Sequence, residues 1–128
     1  MKPELMFLLW SVALTFAQML VSTIGAQLQV GLPMLTGNHE KFPEITGWAG
    51  RARRAHLNML ENLVLFAALA LIAVVTGKTN EMTMLGAQLF FWARVAYALV
   101  YWAGIPWLRT GVWAISVVGL IMMFVQLV

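Results

Sequence analysis

Four apolar stretches divide this 128-residue chain. They run from about Leu5 to Gln29, Arg51 to Thr76, Met82 to Ala103 and Ile105 to Val128. Each has the roughly 20-residue length that a membrane-crossing helix needs. Period-two alternation is absent, and the runs are too long for the strands of a membrane barrel. With 62% hydrophobic and 10% charged residues, a soluble domain of this size would lack the polar surface it requires. The expectation is an all-α polytopic membrane protein, one domain over residues 1–128, built as a four-helix up-down bundle.

The first stretch continues well past the apolar core of a signal peptide, which ends after about 15 residues, and reads as a retained helix. The absence of cysteine excludes a protein thiol as nucleophile and any thiolate metal site. His39 and His56 are too few and too far apart for a zinc site, so no metal is expected. A net charge of +3, interleaved with apolar sequence, gives no reason to expect nucleic acid.

The polar segment GLPMLTGNHEKFPEITGWAG, residues 31–50, separates the first two spans. Its prolines and glycines argue against a helix running through it. The other connections are tight, GKTNE at 77–81 and a turn around Gly104 and Pro106, and tight connections imply antiparallel neighbours. Pro106 suits the first turn of the fourth helix. Lys41, Arg51, Arg53, Arg54 and Arg109 lie in or beside the first and third connections, whereas Lys2 and Lys78 belong to the opposite side. This asymmetry places the loop 31–50 in the cytoplasm and both termini on the non-cytoplasmic side. Compact loops point to a bacterial inner membrane.

Polar residues inside the spans are costly and normally find partners. At 100° per residue, Arg51, Arg54, Asn58 and Glu61 share one face of the second helix, and Arg94, Tyr97 and Tyr101 share one face of the third. Counted from the membrane surface at 1.5 Å per residue, Glu61 and Arg94 both lie about 15 Å deep and Asn58 and Tyr97 about 10 Å deep, with Arg54 and Tyr101 shallower. Glu61 and Arg94 are therefore expected to pair. Such a pair could simply tie two helices together, or it could belong to a ligand site. Charge balance favours the second. Arg51, Arg54, Arg94 and Arg109 outnumber Glu61, read as the only deep acid, and the surplus would welcome an anion. His56 falls off this face and reads as a packing residue. In the first span, Ser11, Thr15, Gln18, Ser22, Gly25 and Gln29 step by fours and threes. This seam reads as close helix packing.

Arg54-Ala55-His56-Leu57-Asn58-Met59-Leu60-Glu61-Asn62, followed by an apolar run with Phe66, resembles the second-helix signature of the MAPEG family, the membrane-associated proteins of eicosanoid and glutathione metabolism. Arg94-Val95-Ala96-Tyr97 with Tyr101, then Arg109-Thr110, resembles the third helix and the start of the fourth. Leu57 stands where some synthases of the family have arginine, and Asn62 where others have tyrosine. The resemblance implies a homotrimer with glutathione as co-substrate between subunits. It implies glutathione contacts from Arg51, Arg54, Asn58, Glu61, Arg94 and Tyr97, with Tyr101 and Arg109 as catalytic residues and Arg109 nearest the sulfur. The nucleophile then comes from glutathione, consistent with a chain lacking cysteine. The implied activity is a glutathione-dependent transferase or peroxidase acting on a lipophilic electrophile from the bilayer. The alternative is a non-catalytic lipid-binding member or a small accessory subunit of a membrane complex.

Overall fold

The computed structural model describes residues 1–31 and 45–128. Among them are four helices, all long and apolar enough to cross a membrane: α1 (Pro3–Val30), α2 (Gly47–Val75), α3 (Glu81–Ala103) and α4 (Pro106–Leu127). They match the four apolar stretches. One boundary differs: α2 begins at Gly47, so the last residues of the predicted loop, Trp48 to Gly50, are helical. Gly50 permits this entry, because a Cβ there would sit 2.5 Å from the carbonyl oxygen of Ile45. The expectations for His39 and Lys41 fall on residues outside the described ones.

Local sequence explains the helix ends. Pro3 and Pro106 occupy the first turns of α1 and α4, where a missing N–H costs nothing. Asn80 caps α3 reciprocally: its Oδ1 accepts from Thr83 N at 2.9 Å, and its own N–H donates to Thr83 Oγ1 at 2.8 Å. At the other end of α3, Gly104 adopts φ 79°. Its N–H reaches the carbonyls of Val100 and Tyr101. That left-handed residue stops the helix and leaves room for α4 to turn back.

The second and third helices are central. Each packs against all three others, whereas α1 and α4 do not touch each other. The closest approach is between α3 and α4. A Cβ on Gly86 would lie 2.6 Å from the carbonyl oxygen of Gly119, and one on Gly119 would lie 2.5 Å from that of Gly86. Backbones this close are the packing that small residues allow in a membrane. Beside them sits an apolar core of Met59, Phe66, Ala70, Ala87, Phe90, Leu120 and Met123, with the Phe66 and Phe90 rings 4.3 Å apart. Outward-facing apolar residues such as Leu9, Val64, Leu71 and Phe124 are exposed, as helices bathed in lipid require.

The seam of α1 is a packing surface. Ser11, Thr15, Gln18, Ser22 and Gly25 are all buried, and a Cβ on Gly25 would meet that of Ala49 at 2.7 Å. Gln29, at its end, is exposed but holds Thr46 from both sides, accepting from its N–H at 3.0 Å and donating to its carbonyl. The first helix also carries, in its first turn, a buried acid that the sequence reading did not identify. Glu4 is only 2% exposed, and its Oε1 accepts from Thr83 Oγ1 of α3 at 2.8 Å.

Candidate functional site

Near the ends of the helices where α2 begins and α3 finishes, the side chains of α2, α3 and α4 build a cationic cluster. Arg51 Nε donates to the carbonyl oxygen of Trp102 at 3.1 Å. That carbonyl belongs to the last turn of α3, where helix geometry leaves acceptors without internal partners, and a cation there suits the helix dipole. Arg54 Nε donates to Tyr101 Oη at 3.1 Å. Arg109, from the first turn of α4, lies over the Tyr101 ring with its Cζ 4.6 Å from the centroid. The Tyr97 and Tyr101 rings are 5.5 Å apart. Arg54, Tyr101 and Arg109, far apart in sequence, thus meet at one level.

One level deeper, Arg94 is 1% exposed and stacks over Tyr97 with its Cζ 4.1 Å from the ring centroid. Its Nη2 donates to Asn58 Oδ1 at 2.8 Å. Asn62 Nδ2 donates to the same oxygen at 3.2 Å and to the Asn58 carbonyl at 2.8 Å. Arg94 Nε and Nη1 have no hydrogen-bond partner among the described residues. A guanidinium so enclosed, held by a neutral amide and an aromatic face, is a strong local source of positive potential.

The predicted Glu61–Arg94 pair is not formed. Glu61 is exposed, and Arg94 bonds to Asn58 instead. Beyond Asn58 the buried track on α2 runs through Asn62, Phe66 and Ala70, in steps of four. Such a track drifts around a helix of 3.6 residues per turn, as it does where neighbours cross at an angle. The prediction took a step of three after Asn58, which lands on Glu61 and leaves the interface. Depth alone matched the two residues. Azimuth separates them.

Asn58, Tyr97, Arg109, Thr110 and Trp113 line a small open cavity of about 160 Å³ beside the cluster. Through Trp113 it adjoins an apolar groove of about 510 Å³ between α2 and α4, which Asn62, Leu65, Leu69, Val117, Ile121 and Phe124 also line. Of the predicted site residues, the fold brings together Arg51, Arg54, Asn58, Arg94, Tyr97, Tyr101 and Arg109. Glu61 stands apart on the outer face of α2. Asn62 and Trp113 were not predicted as site residues, although each lies one helical turn beyond a residue that was, Asn58 and Arg109.

The arrangement is suited to an anionic ligand with an apolar companion: one arginine, a hydroxyl and a phenol at the wall of the cavity, further arginines packed near those lining residues, and a greasy groove alongside. Comparison with known proteins agrees in kind. Residues 7–128 match the model of the MAPEG family. Human microsomal glutathione S-transferase 1 is 32% identical over 69 residues, covering 54% of this chain and 44% of the relative. The pig and cattle proteins of the same name are 33% identical over the same length. The matched region is thus under half the length of these relatives. No solved structure matches significantly. With a family match across all but the first few residues, and four membrane-length helices in the order the signature residues demand, the chain belongs to the MAPEG family.

Proposed function

We propose that this protein is a glutathione-dependent membrane enzyme of the transferase or peroxidase type, acting on a lipophilic electrophile drawn from the bilayer. The observation that carries this reading is the buried guanidinium of Arg94, with two N–H groups lacking partners, in a cluster of arginines that no carboxylate neutralises among the described residues. Glutathione has two carboxylates for such cations, a thiol, and one ammonium. The microsomal glutathione S-transferases that the chain resembles support the same co-substrate.

In this reading Arg54 and Arg94 hold the carboxylates with Asn58 and Tyr97. Arg51 adds charge from its place at the end of α3. Arg109 and Tyr101 act on the sulfur: the cation favours the thiolate over the thiol, and the phenol can donate a hydrogen bond to it. The groove beyond Trp113 receives the apolar partner. Glu61 supports an assembly of several copies. A carboxylate facing hydrocarbon is costly, and Glu61 is exposed in the subunit beside Leu60, Val64 and Leu65. A homotrimer covers that face and turns Glu61 toward a ligand held between subunits, where it meets the ammonium. The arginine end faces the cytoplasm of a bacterial inner membrane, in keeping with the distribution of basic residues.

The test separates binding from chemistry. The purified protein should conjugate glutathione to a lipophilic electrophile, and Arg109→Ala should keep glutathione affinity while losing the ultraviolet absorbance of the bound thiolate. Retention of the thiolate signal in Arg109→Ala would remove Arg109 from the sulfur. A wild type that binds glutathione yet forms no thiolate would leave a binding protein, not an enzyme.

A further inference from the structure

A second polar pocket lies at the opposite end of the bundle, where α1 and α3 begin. Lys2, Pro3, Glu4, Thr79, Asn80, Glu81 and Met84 line it, and its volume is about 220 Å³, room for several groups the size of a water molecule at about 30 Å³ each. Glu4 lies at its inner side, 98% enclosed. Thr83 satisfies Glu4 Oε1, but Oε2 has no hydrogen-bond partner. An enclosed carboxylate with a single neutral donor is poorly compensated, and a cation brought to it restores the balance. Lys2 does not fill that role: its Nζ donates to Thr79 Oγ1 at 3.1 Å, which leaves two of the three ammonium hydrogens for another acceptor. Asn80 is committed to capping α3 and to Gln126.

We propose that this pocket binds the headgroup of phosphatidylethanolamine in the leaflet opposite the arginine cluster. The reasoning is complementarity. Two carboxylates and one lysine surround a pocket with an excess of one negative charge, so the ligand should present a cation to Glu4 and Glu81 and an anion to Lys2. A primary ammonium has N–H groups to give Glu4, which a quaternary choline lacks, and a glycerol headgroup has no cation at all. The phosphate, one ethyl link away, meets the free hydrogens of Lys2, as lysines near a membrane surface favour lipid phosphate. The pocket sits at the first turns of two membrane-spanning helices, which is headgroup depth, and Pro3 and Met84 give it an apolar side toward the acyl chains. The site is separate from the glutathione reading and stands or falls without it.

Native mass spectrometry of the detergent-purified protein, titrated with phosphatidylethanolamine, phosphatidylcholine and phosphatidylglycerol of identical chains, tests this directly. Wild type should retain phosphatidylethanolamine over the other two by roughly tenfold, the equivalent of about 1.4 kcal/mol. Glu4→Gln keeps an acceptor for Thr83 and should therefore stay folded by its melting curve, while the preference falls to near unity. Lys2→Ala should weaken phosphatidylethanolamine and phosphatidylglycerol alike. Free phosphoethanolamine should compete, showing that the headgroup and not the acyl chains is recognised. Equal retention of the three lipids by wild type, or an undiminished preference in folded Glu4→Gln, would overturn the proposal.

Discussion

Where α3 begins, polar side chains find neutral partners. Asn80 and Thr83 close a reciprocal cap, Asn80 also reaches Gln126, and Lys78 Nζ donates to the carbonyl of Leu127 at 3.2 Å. Where α3 ends, arginines from three helices converge on two tyrosines, an asparagine and a backbone carbonyl. Both ends lie at a membrane face, yet only the second gathers cations in excess of the acceptors around them. The difference teaches what each end is for. Matched neutral bonds fix a helix terminus, whereas the Arg94 guanidinium, with N–H groups lacking partners, is what the proposed anionic ligand would draw on. The first end has its own exception in Glu4 Oε2, and that one atom distinguishes a finished cap from a pocket.

The sharpest way to break this contrast is to remove the acceptor that the buried arginine does have. Asn58→Leu leaves Arg94 enclosed without a polar acceptor, and an uncompensated buried charge costs about 3–5 kcal/mol. Denaturant or thermal unfolding in detergent should show a large loss. Adding Arg94→Met to the same chain should recover much of it, because the charge is then gone. Failure to recover would mean that Asn58 acts on something other than Arg94.

A smaller effect is expected away from both ends, at the α3–α4 crossing. Gly119→Ala forces the two backbones apart or distorts them, at about 1–3 kcal/mol for overpacking. Gly111→Ala, on the same helix with nothing within 4 Å of its new Cβ, should be neutral or gain up to about 1 kcal/mol from helix propensity. Equal melting temperatures for the two variants would show that the close approach does not limit packing.

Smallest of all should be Glu61→Gln, within about 0.5 kcal/mol of wild type, as for substitutions away from buried networks. Its effect should add to that of Arg94→Gln, since residues without a shared contact rarely couple. A coupling beyond about 1 kcal/mol would restore the ion pair that the geometry denies.

These residues also show how far the sequence could be read. Span lengths, the shared level of Arg54 and Tyr101 and the packing role of Ser11, Gln18 and Gly25 were legible, because they depend on hydropathy, rise per residue and the helical period. Partner choice at Arg94 was not. It depends on how α2 and α3 cross: a drift of one step carries Glu61 off the interface, brings Asn62 onto it and leaves Asn58 as the acceptor for Arg94. Glu4 was overlooked for a related reason: an acid in the first turn of a helix looks like a response to the dipole, and only the approach of Thr83 reveals its burial. The start of α2 at Gly47 was obscured by glycines, which mark loops by composition but here allow a tight entry.

The central claim, that the cationic end exists to hold glutathione, is tested most directly by calorimetric titration of glutathione into the purified protein, wild type beside Arg54→Ala. Wild type should bind, and Arg54→Ala should bind roughly tenfold or more weakly, the worth of a charge-assisted hydrogen bond of about 1.5–3 kcal/mol, with its oligomeric state and melting temperature retained. No heat of binding in wild type, or an affinity indifferent to Arg54 in a folded variant, would contradict the claim even though the four-helix fold and the family would stand.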